Sequence, residues 1–288
     1  MPRYQPADSQ ETPRFSGIRT FSRLPHTTDL AGVDVAIVGV PWDDATTYRT
    51  GTRFGPAGVR EMSAMLRTYN PSLDVNVYDH LSVVDYGDVP TVPGYIEDTY
   101  EAITHGIREI LEAGTTPIAI GGDHSIALAE LRAVAGKFGP VGFIQFDSHG
   151  DTWDSYFGHK YNHGTPFRRA AEEGLIDTGR AIQVGLRGSL YGPEDLDQSR
   201  DLGFEVLTAD DVRRLGIAST AERIAQRAGR GPVFLSFDID FIDPSFAPGT
   251  GTPEVGGFST AEALAFVRSL RGVNLVGCDV VEVSPPYD

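Results

Sequence analysis

Val141-Gly142-Phe143-Ile144-Gln145-Phe146-Asp147-Ser148-His149-Gly150-Asp151 is the stretch on which the reading of this chain turns. A short apolar run gives way to an acid, an imidazole and a second acid, spaced two apart. Such a run suits a strand buried on both faces, as the strands of parallel sheets are. If the extended geometry persists past Phe146, alternate side chains share a face, so Asp147, His149 and Asp151 converge at the strand's end.

Working outward, strand-like runs recur at 35–40, 83–84, 117–120, 181–186, 233–238 and 273–281, and helical patterns occupy 96–113, 126–137 and 262–270. Ser259 with Glu262 forms a capping-box pattern at the last helix, and Ser219 with Glu222 repeats it earlier. Strand and helix alternate throughout. That order predicts an α/β fold of three layers, α/β/α, around a mostly parallel central sheet. Glycine and proline gather just after strands, at Gly121-Gly122 and at Pro248-Gly249-Thr250-Gly251-Thr252, where open α/β sheets place their ligands. Residues 1–30 are polar and proline-containing and read as an N-terminal arm wrapping the surface, with 31–288 as a single domain.

The chain has 288 residues, 40% of them hydrophobic, enough for a large buried core. No apolar run approaches the roughly 18 residues of a membrane span, and the N-terminus lacks the basic-then-apolar order of a secretory signal. Cys278 is the only cysteine, which excludes an internal disulfide framework and thiolate-held zinc and leads us to expect a cytoplasmic protein. A formal net charge of −16 argues against a nucleic-acid partner. It either draws a cationic substrate or simply keeps the protein soluble.

Two further strands end as the first does. The run 233–237 leads into Asp238-Ile239-Asp240, and 117–120 leads into Gly121-Gly122-Asp123-His124-Ser125. Taken singly, each set reads equally well as ordinary loop residues. Taken together they do not, because four carboxylates drawn into one place repel one another and lose solvation unless cations intervene. Two divalent ions match the four carboxylate charges while leaving the histidines neutral. The donor set of oxygen with some imidazole favours Mn²⁺, with Ni²⁺, Co²⁺ and Zn²⁺ as alternatives.

These three motifs, with Tyr48-Arg49-Thr50-Gly51-Thr52-Arg53-Phe54-Gly55-Pro56, Asn162-His163-Gly164-Thr165-Pro166, Pro248-Gly249-Thr250-Gly251-Thr252-Pro253-Glu254 and Val281-Glu282-Val283-Ser284-Pro285, resemble the signatures of the ureohydrolases, the arginase–agmatinase family. The resemblance covers essentially everything from Gly17 onward. It implies a binuclear manganese site on His124, Asp147, His149, Asp151, Asp238 and Asp240, with Asp147 and Asp238 as bridges. His124 and Asp151 would complete one ion's shell, and His149 with Asp240 the other's. Ser148 stands where the family more usually has alanine. The side chain stays small, and little loss of metal affinity is expected. The family normally continues beyond this point, so the 31–288 catalytic domain is expected to lack a C-terminal closing segment.

By the same resemblance, His163 is the proton shuttle, Glu282 grips the substrate guanidinium, and Asp151 serves catalysis as well as metal binding. Read from the residues alone, His163 equally braces the Asn162–Thr165 turn, and the plainer, less favoured reading of Glu282 is a surface acid after the last strand. The implied reaction releases urea from a small guanidino compound through attack by a hydroxide bridging the metals. Agmatine is the expected substrate, giving putrescine within polyamine metabolism, because Asp154 lies near the expected mouth and would attract a cationic tail. Arg49, Arg168 and Arg169 favour an anionic tail instead, and segments at Gly17–Phe21 and Arg23–His26 resemble guanidinobutyrases and proclavaminate amidinohydrolases. Guanidinobutyrase or guanidinopropionase activity is therefore the alternative, and an inactive scaffold on the same fold the rival of another class. The resemblance also implies a homotrimer or homohexamer.

Overall fold

A computed structural model describes residues 2–192 and 194–288. The chain runs β1 (Val35–Val40), α1 (Gly55–Ser63), β2 (Tyr69–Asn70), β3 (Val75–Asn76), β4 (Val83–Asp88), α2 (Ile96–Glu112), β5 (Thr116–Gly121), α3 (Ile126–Phe138), β6 (Val141–Phe146), α4 (Pro166–Glu172), β7 (Ile176–Leu186), α5 (Asp195–Asp201), β8 (Glu205–Thr208), α6 (Ala209–Ala228), β9 (Val233–Asp238), α7 (Thr260–Ser269) and β10 (Leu275–Val281). Apart from the small β2–β3 hairpin, the strands form one eight-stranded sheet in the order β4-β1-β5-β10-β9-β6-β7-β8. Every pairing in that sheet is parallel.

Alternating side chains send the strands' apolar residues to opposite faces. Phe143 and Phe234 join the core beneath α2, α3 and α4, whereas their neighbours Ile144 and Leu235 join the core beneath α6 and α7. Both faces of the central strands are thus covered, which is why β6 and β9 are buried at every position and read as unbroken apolar runs. The three-layer α/β/α expectation holds.

The topology also positions the site. The four adjacent strands β5, β10, β9 and β6 are drawn from distant parts of the chain, and β10 inserts between β5 and β9 although it comes last. Because they run parallel, their C-terminal ends open on one edge of the sheet, carrying His124, Glu282, Asp238 and Asp147 side by side.

Several expectations need correction. The strand expected at 181–186 begins at Ile176, and β8 was not anticipated, because its four residues are too few to show a period. The helix N-terminus expected at Ser219 and Glu222 lies inside α6. The box forms instead at Thr208 and Asp211, where Thr208 Oγ1 accepts from the Asp211 amide. Gly216 leaves helical geometry three residues before Ser219 (φ 77°), so the capping signal followed a real interruption rather than the true start. The arm lies along the sheet edge, with Tyr4 N donating to Ser82 and Phe21 N to Asp85. It is more than a wrap, since Leu24 is buried in a small cluster with Ile37, Tyr78, Val83 and Ile120. Among the described residues no helix is long and apolar enough to cross a membrane.

Candidate metal centre

The β5–α3 turn delivers His124, and tight contacts explain one glycine in that turn and another in β7. A Cβ on Gly122 would lie 1.9 Å from the Trp42 carbonyl oxygen, so only glycine lets the turn press against that backbone. Across the sheet, Gly185 holds a positive φ of 105° where a side chain would strike Phe241 and the Asp147 carbonyl, leaving room for the β6 loop to fold inward.

That loop and the end of β9 meet His124 in the protein interior. His124 Nδ1 stands 2.8 Å from Asp151 Oδ2, 3.1 Å from Asp147 Oδ2 and 3.2 Å from Asp238 Oδ2. His149 Nδ1 stands 3.0 Å from Asp240 Oδ2 and 3.7 Å from Asp147 Oδ1. His124, Asp147 and Asp151 form one set able to hold a cation, and Asp147, His149 and Asp240 a second, with Asp147 in both. Asp238 faces the first. The six residues that the sequence singles out are therefore brought together, and their role as ligands is taken up below.

Two observations show that this donor set fits cations. His124 Nδ1 and Asp240 Oδ2 are buried and make no well-formed hydrogen bond despite their close neighbours, the state of atoms aimed at a common point rather than at each other. The protonation energetics agree. Burial, followed by the charges of Asp240 and Asp151, pushes the Asp147 carboxyl up to about 7. Burial and the charges of Asp240 and Asp147 raise Asp238 well above the carboxylate range. Burial favours neutral His124, yet the close carboxylates of Asp147, Asp151 and Asp238 override it and hold the imidazole well above its usual value. His149 is raised in the same way against its burial, chiefly by Asp240. Protons thus do the work that positive ions would otherwise do.

Supporting bonds orient the acids. Asp147 Oδ2 accepts from Gln145 Nε2 at 2.6 Å, Gln145 is held in turn by Gln183, and Asp147 Oδ1 accepts from the His149 amide at 2.6 Å. The Ser148 amide donates to Asp240 Oδ1 at 3.0 Å, while its hydroxyl lies 3.1 Å from His149 Nδ1, a contact that alanine could not make. Asp151 adopts a φ of 52° and Glu282 one of 61°, left-handed backbone conformations that are uncommon for non-glycine residues.

Beside the cluster, a cavity of about 40 Å³ is lined by Glu282 and His163 together with Thr47, Trp153, Tyr156 and Thr252. Glu282 is buried, so it is no surface acid. Its Oε1 accepts from the His124 amide at 2.8 Å and faces His163 Nδ1 at 3.1 Å, whereas Oε2 has no partner. The Thr47 amide donates to His163 Nε2 at 3.1 Å, so the neutral ring carries its proton on Nδ1, toward Glu282. Burial opposes charge on His163, but the Glu282 contact outweighs it and raises the pKa. A larger cavity of about 380 Å³ opens past His149, Asp151 and Trp153 and is lined by Leu186, Arg187, Leu190 and Arg213 among others.

Asp154 is not where the sequence led us to expect it. It lines neither cavity. Its exposed carboxylate pairs with Arg169 at 2.7 Å and lies 3.5 Å from Arg168, so two of the three arginines proposed as anion hosts occupy it instead. Sequence reasoning missed Trp153 and Tyr156, which meet edge to face with centroids 5.2 Å apart. Their place directly after Asp151 was the available signal, but the path of residues 155–162 follows no periodicity. Thr47 lies in a polar loop that offers no pattern, whereas Thr252 belongs to the glycine-rich 248–254 motif but nothing in that motif singles it out.

Comparison with known proteins follows from this geometry. The arginase family model matches residues 33–288. The chain is 47% identical to guanidinopropionase of Pseudomonas aeruginosa over 99% of this chain and 89% of that protein. It is 46% identical to guanidinobutyrase of the same organism, over 99% and 90%. With mitochondrial agmatinase of Gallus gallus it shares 44% identity over 98% and 83%. Proclavaminate amidinohydrolase from Streptomyces clavuligerus superposes with a TM-score of 0.92 at 41% identity, covering 96% of this chain and 92% of that one.

Proposed function

Because this chain belongs to the arginase family, whose amidinohydrolases are binuclear metal enzymes, we propose that it releases urea from an ω-guanidino acid. The observation that carries the proposal is Glu282 Oε2, buried, unpartnered and set in the cavity wall beside the ligand cluster. A carboxylate oxygen in that state suits a flat cation that can donate to it from two nitrogens. His124, Asp147, Asp151 and Asp238 are proposed to hold one ion, and Asp147, His149 and Asp240 the other, with manganese the metal the donors favour. When bound, the ions would supply an activated water and positive charge near the reacting carbon.

The rest of the chemistry belongs to side chains. Glu282 orients the guanidinium, Trp153 and Tyr156 wall the cavity against bulk water, and Asp151 contributes through the ion it holds. His163, poised on Glu282, carries a proton to the departing amine, which cannot leave as an anion. The Glu282 contact raises its pKa, and the proton available to it sits on Nδ1, facing Glu282.

For the tail, two features favour carboxylate over amine. Arg187, in the wall of the larger cavity, commits its N–H groups to the carbonyl oxygens of Gly185, Asp240, Phe241 and Glu254 and forms no ion pair among the described residues. It would therefore attract a carboxylate through its charge rather than through a direct hydrogen bond. Asp154, on which a preference for agmatine depended, is already engaged by arginines. The two relatives named for guanidino acids point the same way.

Steady-state kinetics of urea release by the manganese-loaded protein test this. Guanidinopropionate or guanidinobutyrate should exceed agmatine in kcat/KM by at least about tenfold, equivalent to roughly 1.4 kcal/mol in the transition state. Preference for agmatine would overturn the tail assignment, and release of urea from none of the three would overturn the reaction.

A further inference from the structure

On the side of His124 that faces away from the acids lies a second polar chain. His124 Nε2 is 2.8 Å from Ser236 Oγ, and Ser236 Oγ donates to Asp279 Oδ1 at 2.7 Å. The Phe237 amide adds a weaker bond to the same oxygen at 3.3 Å. All three side chains are buried, with exposures of 0% for His124 and Ser236 and 1% for Asp279, so no solvent replaces any link. Ser236 lies on β9 and Asp279 on β10, which pair in register at that point, so two neighbouring strands build the relay.

Its direction follows from counting protons. Ionised Asp279 can only accept, so the single hydroxyl proton of Ser236 points toward it. Ser236 Oγ then has only lone pairs to offer His124, and Nε2 must carry the ring's proton. The neutral ring is left with its bare lone pair at Nδ1, the atom facing Asp147, Asp151 and Asp238 without a hydrogen bond of its own. The other tautomer would present N–H to those acids, and a ring turned over would present Cδ2–H, so neither would have a lone pair to give a cation.

We infer that Asp279, acting through Ser236, is a positioning residue that selects the Nε2–H tautomer of His124 and sets the affinity of the ion on the His124 side alone. This rests on the proposed metal binding. Neither residue touches substrate, and neither supports the His149 and Asp240 side.

Calorimetric titration of the chelator-stripped full-length protein with Mn²⁺ tests the inference. Wild type should bind two ions. Ser236→Ala, which removes one oxygen and little volume, and Asp279→Asn should each weaken one ion by about 10–100-fold, the usual consequence of losing a ligand's supporting partner. The other ion should be unchanged. In a His149→Ala background, which keeps the His124 side, the same loss should fall on the remaining ion. Ser236→Thr, which restores the hydroxyl, should recover affinity, and Asp279→Asn should add nothing once Ser236 is alanine.

Unaltered affinities overturn the inference. So does equal weakening of both ions with a lowered melting temperature, or an undiminished effect of Asp279→Asn without Ser236. A wild type that binds no Mn²⁺ overturns the metal reading itself, and is distinguished by failing before any variant is compared.

Discussion

Asp147 is the residue whose loss should be felt most widely. Its two oxygens face the two histidines separately, Oδ2 toward His124 and Oδ1 toward His149, so one side chain belongs to both candidate ion sets. Asp147→Asn should therefore weaken both ions together, by more than the roughly 10–100-fold expected for a supporting partner, and abolish urea release. Metal analysis of the purified variant decides it, since two retained ions would show that Asp147 does not bridge. Asp154→Asn should behave in the opposite way. Its carboxylate is exposed and paired with Arg169, so metal content and the ratio of kcat/KM between guanidino acid and agmatine should stay within about twofold of wild type. The identity of the ligands was legible because carboxylates and imidazoles recur at strand ends. The fate of Asp154 was not, because its partners Arg168 and Arg169 reach it through the fold of α4.

At the scale of elements, the turn between β5 and α3 has the narrowest tolerance. Gly122 lies against the Trp42 backbone, which cannot swing aside as a side chain could. Gly122→Ala should cost about 1–3 kcal/mol and displace His124, lowering the denaturation midpoint and the occupancy of the His124-side ion before the other. Wild-type stability with both ions retained would show that the turn can yield. The six-residue and longer strands of the sheet, and the helices α2, α3 and α7, were readable from the chain. The four-residue β8 and the short helices α4 and α5 were not, because one or two turns of period carry too little signal and tertiary packing supplies their stability.

For the whole molecule, the cluster links stability, pH and metal. Carboxyls with raised folded pKa values bind more protons folded than unfolded, so their contribution falls as pH rises. Asp147, at about 7, and Asp238, raised well above its ordinary value, act in this sense above the ordinary carboxyl range. His124 and His149 add to it, since stability gained from a raised imidazole is present at low pH and lost as pH climbs through the folded value. Asp240 runs oppositely, because His149 holds it below its ordinary value of 3.8 against the effect of burial, but that change is over before the window of interest. Chelator-treated protein should therefore lose stability between about pH 5 and 8, while ions that replace the protons restore it. The rise in melting temperature produced by Mn²⁺ should grow across that range. A rise that shrinks with increasing pH would count against the cluster as the binding site.

What the chain determines by itself is the kind of chemistry and the architecture that carries it. Apolar runs ending in acids and histidines can be read locally, since strand burial and donor type are properties of neighbouring residues. What only the tertiary structure decides is adjacency. His124, Glu282, Asp238 and Asp147 share one edge because β10, last in sequence, inserts between β5 and β9, and no periodicity announces that order. Ser236 and Asp279 become partners of His124 for the same reason, through registers between strands rather than spacing along one. The neutralisation of Asp154 is likewise tertiary, because it and its arginines cancel through contacts that side chains of either sign could have declined in another fold.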